Sequence, residues 1–367
     1  MGKGRFLFSL TNLFTIQRWN NRPAIIRFFE ADNSFNTLLL SFLFSINNQK
    51  TGISSNIEST IERSLQWRLS RELPKIVLSD VSLQLKERIE RFSPEVWIMV
   101  TKKSIEELKN IADEELIEIL ISPTHYESSD LNTLDKLADL YISYLEAYEN
   151  NKIFNYNQPL NELREKIKHF ECYFTKEERE KFWNIAEYTW PIILNLTSMV
   201  RWNRTHRNVR TSVSGHSFMV VVISYLIAKL ANVKDIEEVI YKAVLHDIPE
   251  AFTGDVITPT KKKVPELDEL VSTVEREMVV EWIEGNANMS NLINYINYAT
   301  NPFDGNTGVI VRTADYTAAL LECAIEIHSG NKIETFRENF FTFKRLIKNI
   351  SLIDVSSWID EIESEIF

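Results

Sequence analysis

The stretch LHDIPEAFTGD at residues 245–255 determines how the rest of the chain is interpreted. An apolar run with helical spacing leads into it and delivers the adjacent His246 and Asp247. Glu250 follows four residues after the histidine, and Asp255 follows nine residues after it. Charges at the end of a buried helix are costly unless they are paired or hold a metal. Imidazole and carboxylate together suit a divalent first-row metal. The alternative is a helix end with solvated charges, because His-Asp pairs are common.

The composition limits the fold class and the partners. The chain has 367 residues, which is typical of two or three domains, and 44% of them are hydrophobic. Only 9 glycines and 10 prolines occur, so we predict an all-α protein with few tight turns. The net charge of −11 argues against a protein that follows nucleic-acid phosphates, so nucleic acid is not an expected partner. It leaves room for a local basic pocket that holds one small phosphate.

The cysteines and the apolar segments indicate a cytoplasmic protein. Cys172 and Cys323 are the two cysteines, and they form no CxxC motif, which is typical of a reducing compartment. The start MGKGRFLFSL is not followed by the apolar region and cleavage site of a signal peptide. The apolar run at residues 38–46 is too short to span a bilayer and predicts a buried core helix, so no membrane partner is expected.

Four segments of the first half recur in the same order in the second half. QRWNN at residues 17–21 resembles VRWNR at residues 200–204. Fifteen residues after each arginine a polar residue and a serine open an apolar helix, Asn33-Ser34 in one case and His216-Ser217 in the other.

The other two matches follow at nearly the same offset. SRELPKIVLSDV at residues 70–81 resembles LHDIPEAFTGDV at residues 245–256, and LADLY at 137–141 resembles TADYT at 313–317. The recurrent proline is informative because proline inside a helical pattern is costly. The offsets lie between 175 (70 to 245) and 183 (18 to 201). We therefore predict a tandem duplication, with two packed helical units that form an internal pseudo-dimer.

The two copies differ at the polar positions. The second copy carries His216, His246, Asp247, Glu250, Asp255 and Asp315, where the first carries Asn33, Arg71, Glu72, Lys75, Asp80 and Asp139. Both histidines are missing from the first copy, and Arg71 and Lys75 are expected to occupy the space of a cation. We therefore predict no metal there and a scaffolding or regulatory role, with a ligand on Arg18 and Trp19 as an alternative.

Four groups of the second copy are placed to ligate one metal. His216 lies on one predicted helix, His246 and Asp247 lie on another, and Asp315 lies on a third. Metal sites in helical bundles are built from side chains on facing helices. Such a metal acidifies a bound water and polarises a phosphoryl oxygen. Each residue also has a simpler interpretation: Asp315, for example, is placed to pair with Arg312.

At these residues the second copy resembles the HD-domain phosphohydrolases, and more narrowly the YfbR-type 5′-deoxynucleotidases. The resemblance covers roughly residues 190 to 335. It is carried by RW at 201–202, RNVRT at 207–211, VSGHS at 213–217, HDIPEAFTGD at 246–255 followed by Thr258-Pro259, and AD at 314–315. One departure is Gly215, where many relatives have an acidic residue.

The resemblance implies an all-helical fold, one divalent metal ion (Mn, Co, Mg, Zn or Fe) and hydrolysis of deoxynucleoside 5′-monophosphates by in-line attack of a metal-bound hydroxide. It implies that His216, His246, Asp247 and Asp315 ligate the metal. The expected division is a degenerate HD-like domain without metal ligands at residues 1–182 and an active HD domain at 183–367. Homodimers are frequent in the family, which agrees with a fused pseudo-dimer and leaves further self-association open.

The resemblance also implies the residues that contact the substrate. Arg201 is expected to bind the phosphate, and Trp202 to crowd the 2′ position and exclude ribonucleotides. Glu250 is expected to act beside the attacking water, on the same face as His246 if the helix continues. Asp255 is expected to bind the sugar 3′-hydroxyl, and Thr258 to contact the substrate. Arg201, Glu250 and Asp255 are thus the expected catalytic residues.

Two alternatives keep part of this interpretation. The first is an HD phosphohydrolase that acts on a triphosphate, a cyclic nucleotide or a nucleic-acid end. In such an enzyme Lys261 to Lys263 would bind the additional phosphates. Runs of charged residues are more often solvated turns. The second is a nucleotide-binding regulatory protein whose site is occupied but does not turn over substrate.

Overall fold

The structure is a computed structural model that describes residues 2–48, 60–78, 81, 83–121, 132–254 and 264–367. Within these ranges the chain forms helices joined by short connections, and no β-strand occurs among them. Two isolated antiparallel bridges, Gln17 with Phe29 and Val200 with Ser212, are the only β-type pairings in the described residues. The predicted all-α fold class is confirmed.

The helices are numbered here in chain order. They are α1 (Lys3–Leu10), α2 (Glu30–Asn48), α3 (Ile61–Leu78), α4 (Leu83–Phe92), α5 (Pro94–Leu108), α6 (Glu114–Leu120), α7 (Thr133–Asn151), α8 (Asn157–Glu171), α9 (Lys176–Ser198), α10 (Val213–Leu230), α11 (Ile236–Leu245), α12 (Glu250–Thr253), α13 (Pro265–Glu284), α14 (Ile296–Thr300), α15 (Gly305–His328), α16 (Glu334–Ile350) and α17 (Ser356–Ile366), with 3₁₀ turns at Thr11–Phe14 and Ala287–Tyr295.

Helices α2 and α10 form the centre of the molecule and pack against each other. Nearly every side chain of both helices is buried, as their continuous apolar sequences require. The predicted core helix at residues 38–46 is part of α2. Among the described residues, α10 is the one helix long and apolar enough to cross a membrane, and 89% of it is buried inside the fold.

Each central helix has its own long partner. Helix α7 packs on α2 in the first half, and α15 packs on α10 in the second. The charged join between the halves is helical, as its pattern predicts: α8 and α9 cover it, and Thr175 and Glu178 form a capping box at the start of α9. One continuous set of buried apolar side chains extends through both halves.

The two halves share a local arrangement at their Arg-Trp pairs. Trp19 has φ of 51° and Trp202 has φ of 59°, a left-handed conformation that is unusual for a bulky residue. The indole Nε1 of Trp19 donates to Glu146, at 3.1 Å, and that of Trp202 donates to Glu322, at 2.5 Å. These glutamates are 176 residues apart (146 to 322), the offset of the matched LADLY and TADYT segments. The division into two duplicated domains stays a prediction, and this geometry agrees with it.

Candidate active site

The start of α10 fixes the position of His216. Ser212 is the N-cap residue, and its hydroxyl accepts from the backbone N–H of Gly215 at 2.9 Å. The backbone N–H of His216 donates to the carbonyl of Ser212 at 3.0 Å, which closes the first turn. His216 is fully buried as a result.

The second part of the site lies where α11 ends. The helix stops at Leu245, and the chain then tightens into i to i−3 hydrogen bonds, with Glu250 N–H donating to Asp247 O at 3.1 Å. Pro249 has no N–H for a continued helix, which accounts for the break. The helix therefore does not continue from His246 to Glu250, which was the condition for the two side chains to share a face. Glu250 instead begins the separate short helix α12, with its side chain half-buried.

The four predicted metal-ligating residues come together in the structure. One ligand atom from each of His216, His246 and Asp247 lies within 4.8 Å of the others. Asp315, from α15, joins them, because its Oδ1 lies 3.1 Å from His216 Nε2. Its Oδ2 lies 3.6 Å from Nη1 of Arg312, so the pairing with Arg312 also exists, on the opposite oxygen.

Each histidine is oriented through its other nitrogen. His216 Nδ1 lies 2.9 Å from Oε1 of Glu322, and His246 Nδ1 lies 2.8 Å from the carbonyl oxygen of Ala243. Both Nε2 atoms are thereby directed toward the carboxylates, which is the usual arrangement of metal-ligating histidines. The sequence interpretation missed Glu322. A signal for it existed, because Glu322 follows Asp315 by seven residues and so lies on the same face of α15.

The charges of the site depend on one another. Burial and Arg201 oppose protonation of His216, yet Glu322 and Asp315 raise its pKa to about 9. Burial would raise the pKa of Asp247, but His246 beside it holds that pKa well below its ordinary value. Burial likewise opposes ionisation of Glu322, while Arg201 and His216 lower its pKa to about 2. The cluster therefore pairs ionised carboxylates with the positive charges of His216 and Arg201.

The donor set fits a divalent metal ion. His246 Nε2 and Asp247 Oδ2 are buried and lie 3.2 Å apart, and neither has a hydrogen-bond partner in the part of the chain that the structure describes. Buried polar atoms are normally satisfied, so two such atoms within one cluster indicate a missing ligand. Two imidazoles with two carboxylates match first-row divalent ions.

The Arg-Trp pair lies against the same cluster. Nε of Arg201 lies 3.5 Å from Oε1 of Glu322, and the Trp202 indole donates to the other oxygen of that carboxylate. The Trp202 ring packs on Phe336 and Phe343, with ring centroids 5.8 and 6.2 Å away. Glu322 thus holds Arg201, Trp202 and His216 at once.

The RNVRT segment is anchored one turn further along α15. Oε1 of Glu326 lies 3.1 Å from Arg207 Nε and accepts from the backbone N–H of Val209 at 2.9 Å. Its Oε2 accepts from the backbone N–H of Asn208 at 2.8 Å. Glu326 is fully buried and was also missed from sequence.

Some predicted residues cannot be placed in the site. Asp255, Thr258 and Lys261 to Lys263 of the second copy lie outside the described residues, and so does Asp80 of the first.

In the first half the guanidinium of Arg68 lies among the residues that match the metal-ligating positions of the second half. Arg68 is 1% exposed; its Nη1 lies 2.6 Å from Asp139 and its Nη2 lies 2.7 Å from Glu72. Nδ2 of Asn33 donates to Asp139 at 3.1 Å. Lys75 pairs with Glu72 at 3.1 Å, as expected for a cation in this space.

The expectation for Arg71 is corrected by this arrangement. Its Nη2 lies 3.9 Å from Asp139, and its side chain is 39% exposed, so it lies at the rim. Arg68 lies one helical turn earlier on the same side of α3, and its guanidinium reaches the centre instead.

The chain is similar to several known proteins. A family model described as "5′-deoxynucleotidase YfbR-like" matches residues 190–366. The 4′-phosphooxetanocin A phosphatase of Priestia megaterium is 30% identical over 146 residues, which cover 38% of this chain and 74% of the relative. The 5′-deoxynucleotidase YfbR of Salmonella typhi is 28% identical over 131 residues, and the chain spans 66% of it, just under two thirds, with 34% of this chain covered. An HD-domain phosphohydrolase structure from Listeria innocua aligns at 23% identity with a TM-score of 0.41, covering 50% of this chain and 87% of that one.

Proposed function

Because the chain belongs, through residues 190–366, to the YfbR-like 5′-deoxynucleotidase family of HD-domain phosphohydrolases, we propose that it hydrolyses deoxynucleoside 5′-monophosphates to deoxynucleoside and phosphate. The observation that carries the proposal is the convergence of His216, His246, Asp247 and Asp315 in one buried cluster. Arg201 and Trp202 beside that cluster support a phosphate ester of a nucleoside as the substrate.

The four clustered side chains are the proposed ligands of one divalent metal ion. A metal held there would neutralise phosphate charge and acidify a water molecule. Glu322 and the carbonyl of Ala243 hold the two imidazoles in the orientation that such binding needs.

Arg201 is proposed to bind the substrate phosphate. Hydrolysis of a phosphate ester depends mainly on positioning and on charge neutralisation. The Arg201 side chain is 16% exposed, so it is shielded from water yet reachable from one side. Glu322 fixes the position of its guanidinium close to the histidines.

Trp202 is proposed to select deoxyribose. The hydrogen bond to Glu322 and the packing against the rings of Phe336 and Phe343 fix the position of its indole. A fixed indole beside the sugar would leave no space for a 2′-hydroxyl. Asp255 and Thr258 are proposed to contact the sugar side of the substrate.

Glu250 is proposed to handle the proton of the attacking water. It follows the His-Asp pair at the start of α12, and its Oε2 is buried. A half-buried carboxylate near a phosphate is a suitable general base when the water lies within hydrogen-bond reach.

The first half, residues 1–182, is proposed to be a degenerate copy of the second. The shared Arg-Trp geometry and the matched Glu146 and Glu322 support this proposal. Arg68 and Lys75 supply positive charge among the matched carboxylates, which is why no metal is proposed there. Its role is scaffolding within the pseudo-dimer.

The test is phosphate release from deoxy- and ribonucleoside mono- and triphosphates with Mn²⁺, Co²⁺ or Mg²⁺. The same assay is run on the His246→Ala/Asp247→Ala variant, with circular dichroism as the control for folding. We expect metal-dependent release from deoxy-monophosphates that the double variant lacks. Phosphate release from triphosphates alone would identify a triphosphate as the substrate, and no release from any of these compounds with metal bound would favour a regulatory protein. The Arg18→Ala/Trp19→Ala variant removes partners of the buried Glu146, so its turnover is compared per folded protein; unchanged turnover on that basis is expected if the first half is only a scaffold.

A further inference from the structure

The starts of the two central helices meet at one carboxylate from the first half. Asp32 lies in the first turn of α2 and is 3% exposed. Its Oδ2 accepts from the backbone N–H of Phe29 at 2.8 Å, which satisfies the start of its own helix. Its Oδ1 accepts from the hydroxyl of Ser212, the N-cap residue of α10. One side chain thus completes both helix starts.

Gly215 provides the room for this contact. The match of Asn33 with His216 places Asp32 opposite Gly215 in the two halves. A Cβ atom on Gly215 would lie 3.2 Å from Oδ1 of Asp32 and 3.3 Å from Oγ of Ser212, which is closer than ordinary contacts allow. The absence of a side chain at Gly215 therefore leaves the space that the Asp32 carboxylate occupies.

A second residue of α2 extends the contact. Oδ1 of Asn36 accepts from the hydroxyl of Ser214 at 3.2 Å, and its Nδ2 donates to Thr197 at 3.1 Å. These side chains are all buried, so the hydrogen bonds do not compete with water. The turn directly ahead of His216 is held from the first half at two points.

We propose that Asp32, supported by Asn36, is a positioning residue for His216, so that the site of the second half is completed by the first. The inference rests on the proposed function for the role of His216. The positive end of a helix favours an adjacent carboxylate, and Asp32 fixes the Ser212 hydroxyl that caps α10. Ligands must be held closely in place, and loss of an outer partner weakens metal binding by about 10- to 100-fold.

The test compares two isosteric variants in the same half. Asp32→Asn has one acceptor oxygen, so it cannot accept from both the Phe29 N–H and the Ser212 hydroxyl. Asp135→Asn is the matched control, because Asp135 is an equally buried aspartate of the first half that lies beside Ser64 in α3 and Ser41 in α2. The readouts are Co²⁺ affinity from visible absorbance and hydrogen exchange of the amides of residues 213–217 in metal-free protein.

We expect Asp32→Asn to weaken Co²⁺ binding by about 10- to 100-fold and to speed exchange in the first turn of α10. Asp135→Asn should leave Co²⁺ affinity unchanged and should not speed exchange in that turn. The Asp32→Gly/Gly215→Asp variant should recover most of the affinity, because α10 then carries its own acid, whereas Gly215→Asp alone should not match the wild type. Unchanged affinity and exchange in Asp32→Asn, or equal losses in Asp135→Asn, would overturn the proposal.

The two proposals fail in different ways. If the wild-type protein binds no divalent metal, the proposed function is wrong, and the exchange measurement alone still decides whether Asp32 holds the turn. If the wild type binds Co²⁺ and Asp32→Asn binds it equally well, the function stands and the role of Asp32 is rejected.

Discussion

Replacing the buried Arg68 by methionine should destabilise the whole protein. The substitution keeps the unbranched stem and removes the charge, which leaves the buried Glu72 and the half-buried Asp139 without their main partner. The lost contacts are two charged hydrogen bonds, at 2.6 Å to Asp139 and 2.7 Å to Glu72, and a bond of 3.2 Å from Nε to Ser34.

The magnitude follows from these contacts. Charged hydrogen bonds contribute about 1.5–3 kcal/mol each, and removing one partner of a buried ion pair costs about 3–5 kcal/mol. Lys75 still pairs with Glu72 at 3.1 Å, which offsets part of the loss. We therefore expect the free energy of unfolding to fall by about 3–4 kcal/mol at pH 7.

The assay is urea denaturation of the wild type, Arg68→Met and Arg71→Met. Arg71→Met is the matched control on the same helix, because Arg71 is 3.9 Å from Asp139 and partly exposed, so its loss should cost less than about 1 kcal/mol. A loss below about 1 kcal/mol for Arg68→Met, or an equal loss for Arg71→Met, would refute the assignment of Arg68 as the central cation.

The pH dependence provides a second check on the same prediction. In the wild type, burial raises the pKa of Asp139, but Arg68 and Arg71 hold it well below its ordinary value. Its ionised form therefore stabilises the fold above the pKa of the unfolded chain, and this stabilisation is lost as the pH falls. Without Arg68 the carboxyl can be protonated at higher pH, so the difference between wild type and Arg68→Met should shrink from pH 7 toward pH 4. A constant difference would contradict this account.

Three further predictions concern single side chains. Glu322→Gln should weaken Co²⁺ affinity by about 10- to 100-fold, because His216 loses its carboxylate partner; an unchanged titration would contradict this. Burial raises the pKa of Asp135 from 3.8 to about 6, so its ionisation destabilises the fold as the pH rises through that interval. Asp135→Asn should therefore raise the free energy of unfolding by up to about 3 kcal/mol at pH 7 and by little at pH 4; an equal gain at both pH values would oppose this explanation. Trp202→Ala should raise the ratio of ribonucleotide to deoxyribonucleotide kcat/KM by about 10-fold or more, and an unchanged ratio would remove Trp202 from sugar selection.

The sequence predicted the elements of the site better than their contacts. Helical spacing and the ordered motifs were enough to bring His216, His246 and Asp315 onto three facing helices, because periodicity determines which side of a helix is buried. The break at Pro249 was harder to predict, since a proline in a helical pattern can end a helix or only bend it.

Contacts made by long side chains were not predictable from matched positions. Arg68 is one turn away from the position that aligns with His246, and only the packed structure shows that its guanidinium reaches the carboxylates. The contact of Asp32 with Ser212 joins residues 180 positions apart, and it depends on how α2 and α10 pack. Local sequence patterns contain no information about such a pairing.

The meeting of Asp32 with Gly215 also constrains how the sequence can vary. Because a Cβ atom on Gly215 would lie 3.2 Å from Oδ1 of Asp32, a side chain at Gly215 would have to displace the Asp32 carboxylate from the position that it has here. Two identical subunits carry the same residue on both sides of their symmetry axis, so they cannot place an acid on one side and a glycine on the other. On a single chain the two positions mutate independently. Relatives with the same two-half organisation should therefore show coevolution here, with one acidic residue shared between the two positions.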